Sequence, residues 1–175
     1  MNPRPSASVP ALILSALLSA IALAASAPAV EPPPVSFHEL RTGETIHARL
    51  DSQGCIHDTT HHLQFLGGQA KLVTIFRDDG RPQPTRLGTL PISDAEAAAL
   101  DRLVTFYRTC RISGCTTVDK IAITQTKAAA QVTRENFIDG TCATMDEKAW
   151  PTTLWTLITR LTPRPTKQQS APQKE

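Results

Sequence analysis

The five histidines of the chain, His38, His47, His57, His61 and His62, all fall between positions 38 and 62, and this is its only clustering of potentially reactive side chains. Imidazole nitrogens and carboxylate oxygens are ligands for zinc and copper. His57, His61 and His62 with Asp58 therefore form the candidate metal set, provided the segment after Cys55 curls so that their ligand atoms converge about 2 Å from one ion. On a strand, however, His61 and His62 point to opposite faces, which works against a shared site. The plainer expectation is a set of polar surface residues flanking a disulfide loop, with His47 on the solvent face of its strand. A third possibility is a pH response through joint protonation near the ordinary imidazole pKa of about 6.5.

Covalent catalysis finds less support. Cys55 and His57 are a nucleophile and a base by type, but side chains two residues apart seldom meet productively, and the thiol is expected to be oxidised. Serine chemistry needs a hydroxyl held beside a histidine and an acid. Ser93 already has a role as a helix cap, and Ser52 and Ser113 read as turn residues. Asp78-Asp79 precedes Gly80 and reads as a turn, while Asp146 and Glu147 precede a helix whose dipole they favour, so no carboxylate pair for glycoside cleavage stands out. Gly67-Gly68 is followed by a strand and not by a helix N-terminus, so it is no phosphate loop. Trp150 and Trp155 could anchor a sugar ring or a partner, but Trp155 borders an apolar helical face and reads as core.

The elements that must position these residues follow from the rest of the chain. Arg4, the apolar stretch from Ala11 to Ala25 and the small residues after it read as a secretory signal ending at Ala29. Its alternative, a retained anchor, is short of the roughly 20 strongly apolar residues that a spanning helix needs. Export implies an oxidising compartment, in which Cys55, Cys110, Cys115 and Cys142 read as two structural disulfides. The expected pairing is Cys110 with Cys115, because a turn at Ser113-Gly114 can fold the chain back, and Cys55 with Cys142. Loop-closure entropy does not separate this pairing from Cys55 with Cys110 and Cys115 with Cys142.

Loss of residues 1–29 removes one cation, Arg4. The 18 Lys and Arg fall to 17 against 16 acids, which is not the balance of a nucleic-acid binder. Residues 30–34 are a Pro-rich leader, residues 35–161 one globular domain and residues 162–175 a disordered tail without apolar period.

Within the domain, Ile46, Ala48 and Leu50 alternate with polar residues as in a half-buried strand. His61–Leu66 and Lys71–Phe76 form a hairpin through Gly67-Gly68, expected to use positive φ angles. Residues 77–91 read as a connection, with at most a short extended piece at Arg86–Leu90. Ser93 and Glu96 form a capping box for a helix whose stripe is Leu100, Leu103, Val104, Tyr107 and Cys110. Val118–Thr126 and Ala130–Ile138 are strands, and Pro151 opens a last helix carrying Leu154, Leu157, Ile158 and Leu161.

The expected fold class is α+β: an antiparallel sheet of about five strands in the order β-β-β-α-β-β-α, helices packed on one face, and two disulfides. The expected role is that of a small non-catalytic domain, periplasmic or secreted from a bacterium, that binds another envelope or extracellular protein through a sheet edge or loop. The alternative is an envelope protein binding zinc or copper through the histidine cluster. Apart from that metal no cofactor is expected, nor a nucleic-acid partner, nor a membrane span once the signal is removed.

Overall fold

Period-two alternation builds most of the domain. In the computed structural model the described residues are 34–54, 57–110, 115–127 and 131–162. The expected signal segment, residues 30–33 of the leader, Cys55, the Ser113-Gly114 turn and residues 163–175 lie outside them. The elements are β1 (Thr45–Gly54), β2 (His57–Leu66), β3 (Lys71–Asp78), β4 (Thr85–Ile92), α1 (Asp94–Thr109), β5 (Val118–Thr126), β6 (Val132–Asp139) and α2 (Leu154–Leu161), with one 3-10 turn at Ala143–Met145. They form a six-stranded sheet in the order β4-β3-β2-β1-β5-β6, antiparallel throughout. The α+β class holds, with six strands in place of about five.

The extra strand is β4. Pro82, Pro84 and Pro91 mask it, because proline is poor in strand interiors. β4, however, lies at the sheet edge, where one side of the strand has no ladder to complete.

One sheet face carries Ile46, Ala48, Leu50, Leu63, Phe65, Val73, Ile75, Ile121 and Ile123, all buried. They pack with Leu100, Leu103, Val104 and Tyr107 of α1 and with Leu154, Leu157 and Ile158 of α2. Each Val, Leu, Ile or Phe among them contributes roughly 1.5–3 kcal/mol on burial, so this layer is the main source of stability. The capping box of α1 forms as its sequence implies. Glu96 N donates to Ser93 Oγ at 3.2 Å, and Ser93 N donates to Glu96 Oε2 at 2.8 Å. α2 begins later than Pro151 suggests: Thr153 is its N-cap, in a reciprocal pair with Thr156.

The chain ahead of β1 is tied down by α1. Asp101 accepts from Phe37 N at 2.6 Å, from Ser36 Oγ at 2.8 Å and from His38 N at 3.2 Å, while Phe37 is buried edge-to-face on Phe65. Gly67 completes this region for an unexpected reason. Neither Gly67 nor Gly68 has a positive φ; a Cβ on Gly67 would instead lie 1.9 Å from the Arg41 carbonyl oxygen. Close backbone approach, not turn handedness, selects glycine here.

The expected cysteine pairing is overturned. Cys115 is bonded to Cys142, with Cα atoms 5.7 Å apart, and Cys110 is a free, half-buried thiol. α1 does end at Cys110, as its stripe implies, but Cys115 is brought to the end of β6: its amide donates to Gly140 O at 3.2 Å. Strand pairing of β5 with β6 thus decides what loop entropy left open. The Cys110 sulfur lies near the carbonyls of Tyr107 and Ile138. Burial and the nearby Asp139 raise its pKa, which disfavours the thiolate. Among the described residues there is one disulfide, and no helix is long and apolar enough to cross a membrane.

Candidate binding site

The apolar sheet face turns polar at one end, on three adjacent strands at once. On β1 the inward series Ile46, Ala48, Leu50 continues to Ser52; on β5 the series Ile123, Ile121 runs back to Asp119; on β2 the series Phe65, Leu63 runs back to His61, Thr59 and His57. The registers Thr59↔Ser52 and Ser52↔Asp119 set these residues side by side, with His61 opposite Arg77 of β3. Inward parity is thus kept while side-chain chemistry changes, and Ser52, His61 and Asp119 are 0%, 5% and 4% exposed.

Above this polar patch lies a cleft of about 580 Å³. Its floor is Ser52, His57, Thr59, His61 and Arg77. One wall is α2, through Trp155, Ile158 and Thr159, and the rim is the segment after β6, with Thr144, Met145 and Glu147. Two devices hold that rim in place. The Cys115–Cys142 bond joins it to the start of β5. Buried Asp139 accepts from Thr141 N, Thr141 Oγ1 and Thr144 Oγ1 at 2.9, 2.6 and 3.0 Å.

Hydrogen bonding fixes the floor. His57 Nε2 lies 3.1 Å from Ser52 Oγ, and the ring rests directly on Gly54, where a Cβ would stand 2.5 Å from His57 Cε1. The Trp155 indole N–H donates to Asp119 Oδ2 at 2.8 Å, and its ring meets His61 edge-on at 5.6 Å. Burial raises the Asp119 pKa, while Ser52 and Trp155 oppose that shift by favouring the carboxylate. Burial and then the charge of Arg77 lower the His61 pKa, so its imidazole is neutral at neutral pH.

Satisfaction of polar groups is incomplete at this end. Among the described residues, buried side-chain atoms without a well-formed hydrogen bond are Thr59 Oγ1, His61 Nδ1, Asp119 Oδ1 and Gln125 Nε2, of which the first three belong to this patch. A native core leaves few such atoms, since each costs about 1–3 kcal/mol, and three of these four lie beneath one cleft.

The candidate residues from sequence fare unevenly. His57 and His61 reach the cleft, but Asp58 and His62 alternate to the other sheet face, where His62 stacks on His47 at 5.5 Å. The set His57, His61, His62 and Asp58 therefore does not converge. Among the described residues no group of three His, Cys, Asp or Glu is placed to hold a metal. Ser52 lies in β1, not in a turn. Its partnership with His57 resembles a nucleophile and base, yet Ser52 is fully buried. Trp155 packs against the core as its spacing implies and also lines the cleft. Ser52, Thr59 and Asp119 escaped notice as site residues. The signal was present in their parity: each continues an inward apolar series with a polar side chain.

Comparison with family models, with curated proteins and with solved structures returned no match.

Proposed function

We propose that the chain is a non-catalytic binding domain working in an oxidising compartment outside the cytoplasm, periplasmic or secreted, and that the cleft between the polar sheet end and α2 is where it binds. The observation that carries this reading is an open volume of about 580 Å³ lying over the end of the sheet where the inward apolar series turns polar. A volume of this size suits a small molecule or a single projecting group of a larger partner. The disulfide supports the compartment. Catalysis is disfavoured because Ser52, among the described residues the one hydroxyl paired with an imidazole, is 0% exposed and cannot meet a carbonyl carbon.

Chemical-shift mapping with small uncharged fragments tests the reading. Perturbations should concentrate on Thr59, Thr117, Trp155 and Thr156, with the fragments recovered unchanged. Shifts confined to the edge strands β4 and β6 would move the binding surface to the sheet edge and refute the cleft. Turnover of a p-nitrophenyl ester that vanishes in Ser52→Ala would refute the non-catalytic assignment.

A further inference from the structure

Resting on the cleft as the binding site, we infer that its ligand is an uncharged amphiphile: an apolar body with a hydrogen-bonding group. The apolar part of the argument comes from the walls. Trp155, Ile158, Met145 and the methyls of the lining threonines present hydrocarbon, and Met145 is 56% exposed at the rim with no core role. The polar part comes from the floor, where the half-buried His57 ring offers a hydrogen-bonding group among the lining residues.

Charge excludes the alternatives. Among the described lining residues the one Lys or Arg is Arg77, and its Nε already donates to Asp79 Oδ1 at 2.6 Å. The nearest guanidinium on α2, Arg160, is likewise held by Glu96 Oε1 at 2.7 Å. Among the described lining residues an anionic ligand would therefore find a guanidinium that is already paired, and would pass Glu147 on the rim. A cation would meet Glu147 at the mouth, but beneath the floor the Asp119 carboxylate is buried and already engaged by Trp155, so among the described lining residues Glu147 is the one acid. Burying an unpaired charge costs several kcal/mol, whereas a neutral group with one donor or acceptor matches what the floor displays.

Two dyes with the same ring skeleton separate charge from shape: uncharged N-phenylnaphthylamine and its sulfonated counterpart anilinonaphthalenesulfonate. Titrated into the disulfide-intact domain, the neutral dye should bind one per chain, with energy transfer from tryptophan, and the sulfonated dye should bind at least about tenfold more weakly. Met145→Lys, an exposed substitution outside the core, exchanges wall hydrocarbon for a cation and should tighten the sulfonated dye while weakening the neutral one. Equal or tighter binding of the sulfonated dye to the unaltered protein would overturn the ligand class while leaving the cleft as a binding site. Failure of both dyes to bind saturably would overturn the cleft reading itself.

Discussion

Replacing both members of the Cys115–Cys142 bond by alanine tests the covalent frame of the site. The bond closes a loop of sequence separation 27. Chain entropy regained by the unfolded state then predicts a loss of about 3.6 kcal/mol at 25 °C. For a folded unit of this size that corresponds to roughly 10–15 °C in Tm. Cys142 has φ 54°, in the left-handed region, but alanine meets the same backbone cost as cysteine, so that contribution cancels between the two proteins. Urea unfolding of Cys115→Ala/Cys142→Ala should therefore match the wild-type protein unfolded with a reducing agent. Cys110→Ala should change stability by only about 1–2 kcal/mol, for lost packing of a half-buried thiol, and should keep its sensitivity to reductant. The double variant should also weaken occupation of the cleft, because Thr144, Met145 and Glu147 follow Cys142 directly. A cost below about 1 kcal/mol for the double variant, or loss of reductant sensitivity in Cys110→Ala, would refute the pairing and with it the anchoring of the rim.

Other parts of the structure make separate predictions. Gly67→Ala forces a Cβ toward a backbone oxygen that cannot move alone, so it should cost about 2–3 kcal/mol or more in urea unfolding; a change under about 0.5 kcal/mol would mean the approach to Arg41 is not tight. Asp101→Ala leaves the Phe37 amide without its acceptor and should cost about 3 kcal/mol, with amide exchange at residues 36–38 accelerating most; unchanged exchange there would contradict the tie. The lowered His61 pKa means the unfolded chain binds its proton first, so the contribution is complete above about pH 6.5 and is lost as pH falls through the lower folded value. His47, lowered by burial and then by His62, has the same sign, and the raised Asp119 opposes both as pH rises through its own window. His61→Phe should flatten the fall in stability as pH drops below about 6.5, and at pH 7 should be neutral or stabilising by about 1 kcal/mol because it removes an unsatisfied buried nitrogen. An unaltered slope would show that His61 does not titrate on unfolding.

Sequence pattern is most readable where one force acts alone. The strand series of β1, the stripe of α1 and the Ser93–Glu96 box each answer to a single local or periodic rule, and each stands as expected. β4 was obscured because proline carries a strong local signal against strands, while the edge position that tolerates it is a property of the whole sheet. The cysteine pairing failed for a related reason: Cys110 and Cys115 are close in sequence, but β5–β6 pairing places Cys142 nearer, and that contact exists only after the sheet forms. The site was hidden differently again. Ser52, Thr59, His61 and Asp119 look like ordinary polar positions one strand at a time, and His57 with Asp58 looks like a ligand pair on a loop. Register alone lines the first four up across neighbouring strands on the buried face and sends Asp58 to the opposite one. A polar residue continuing an inward apolar series is weak evidence on one strand. On three adjacent strands, with Arg77 on the fourth, it is a stretch of core face given up over a cleft, and hydrophobic residues there would have served stability better.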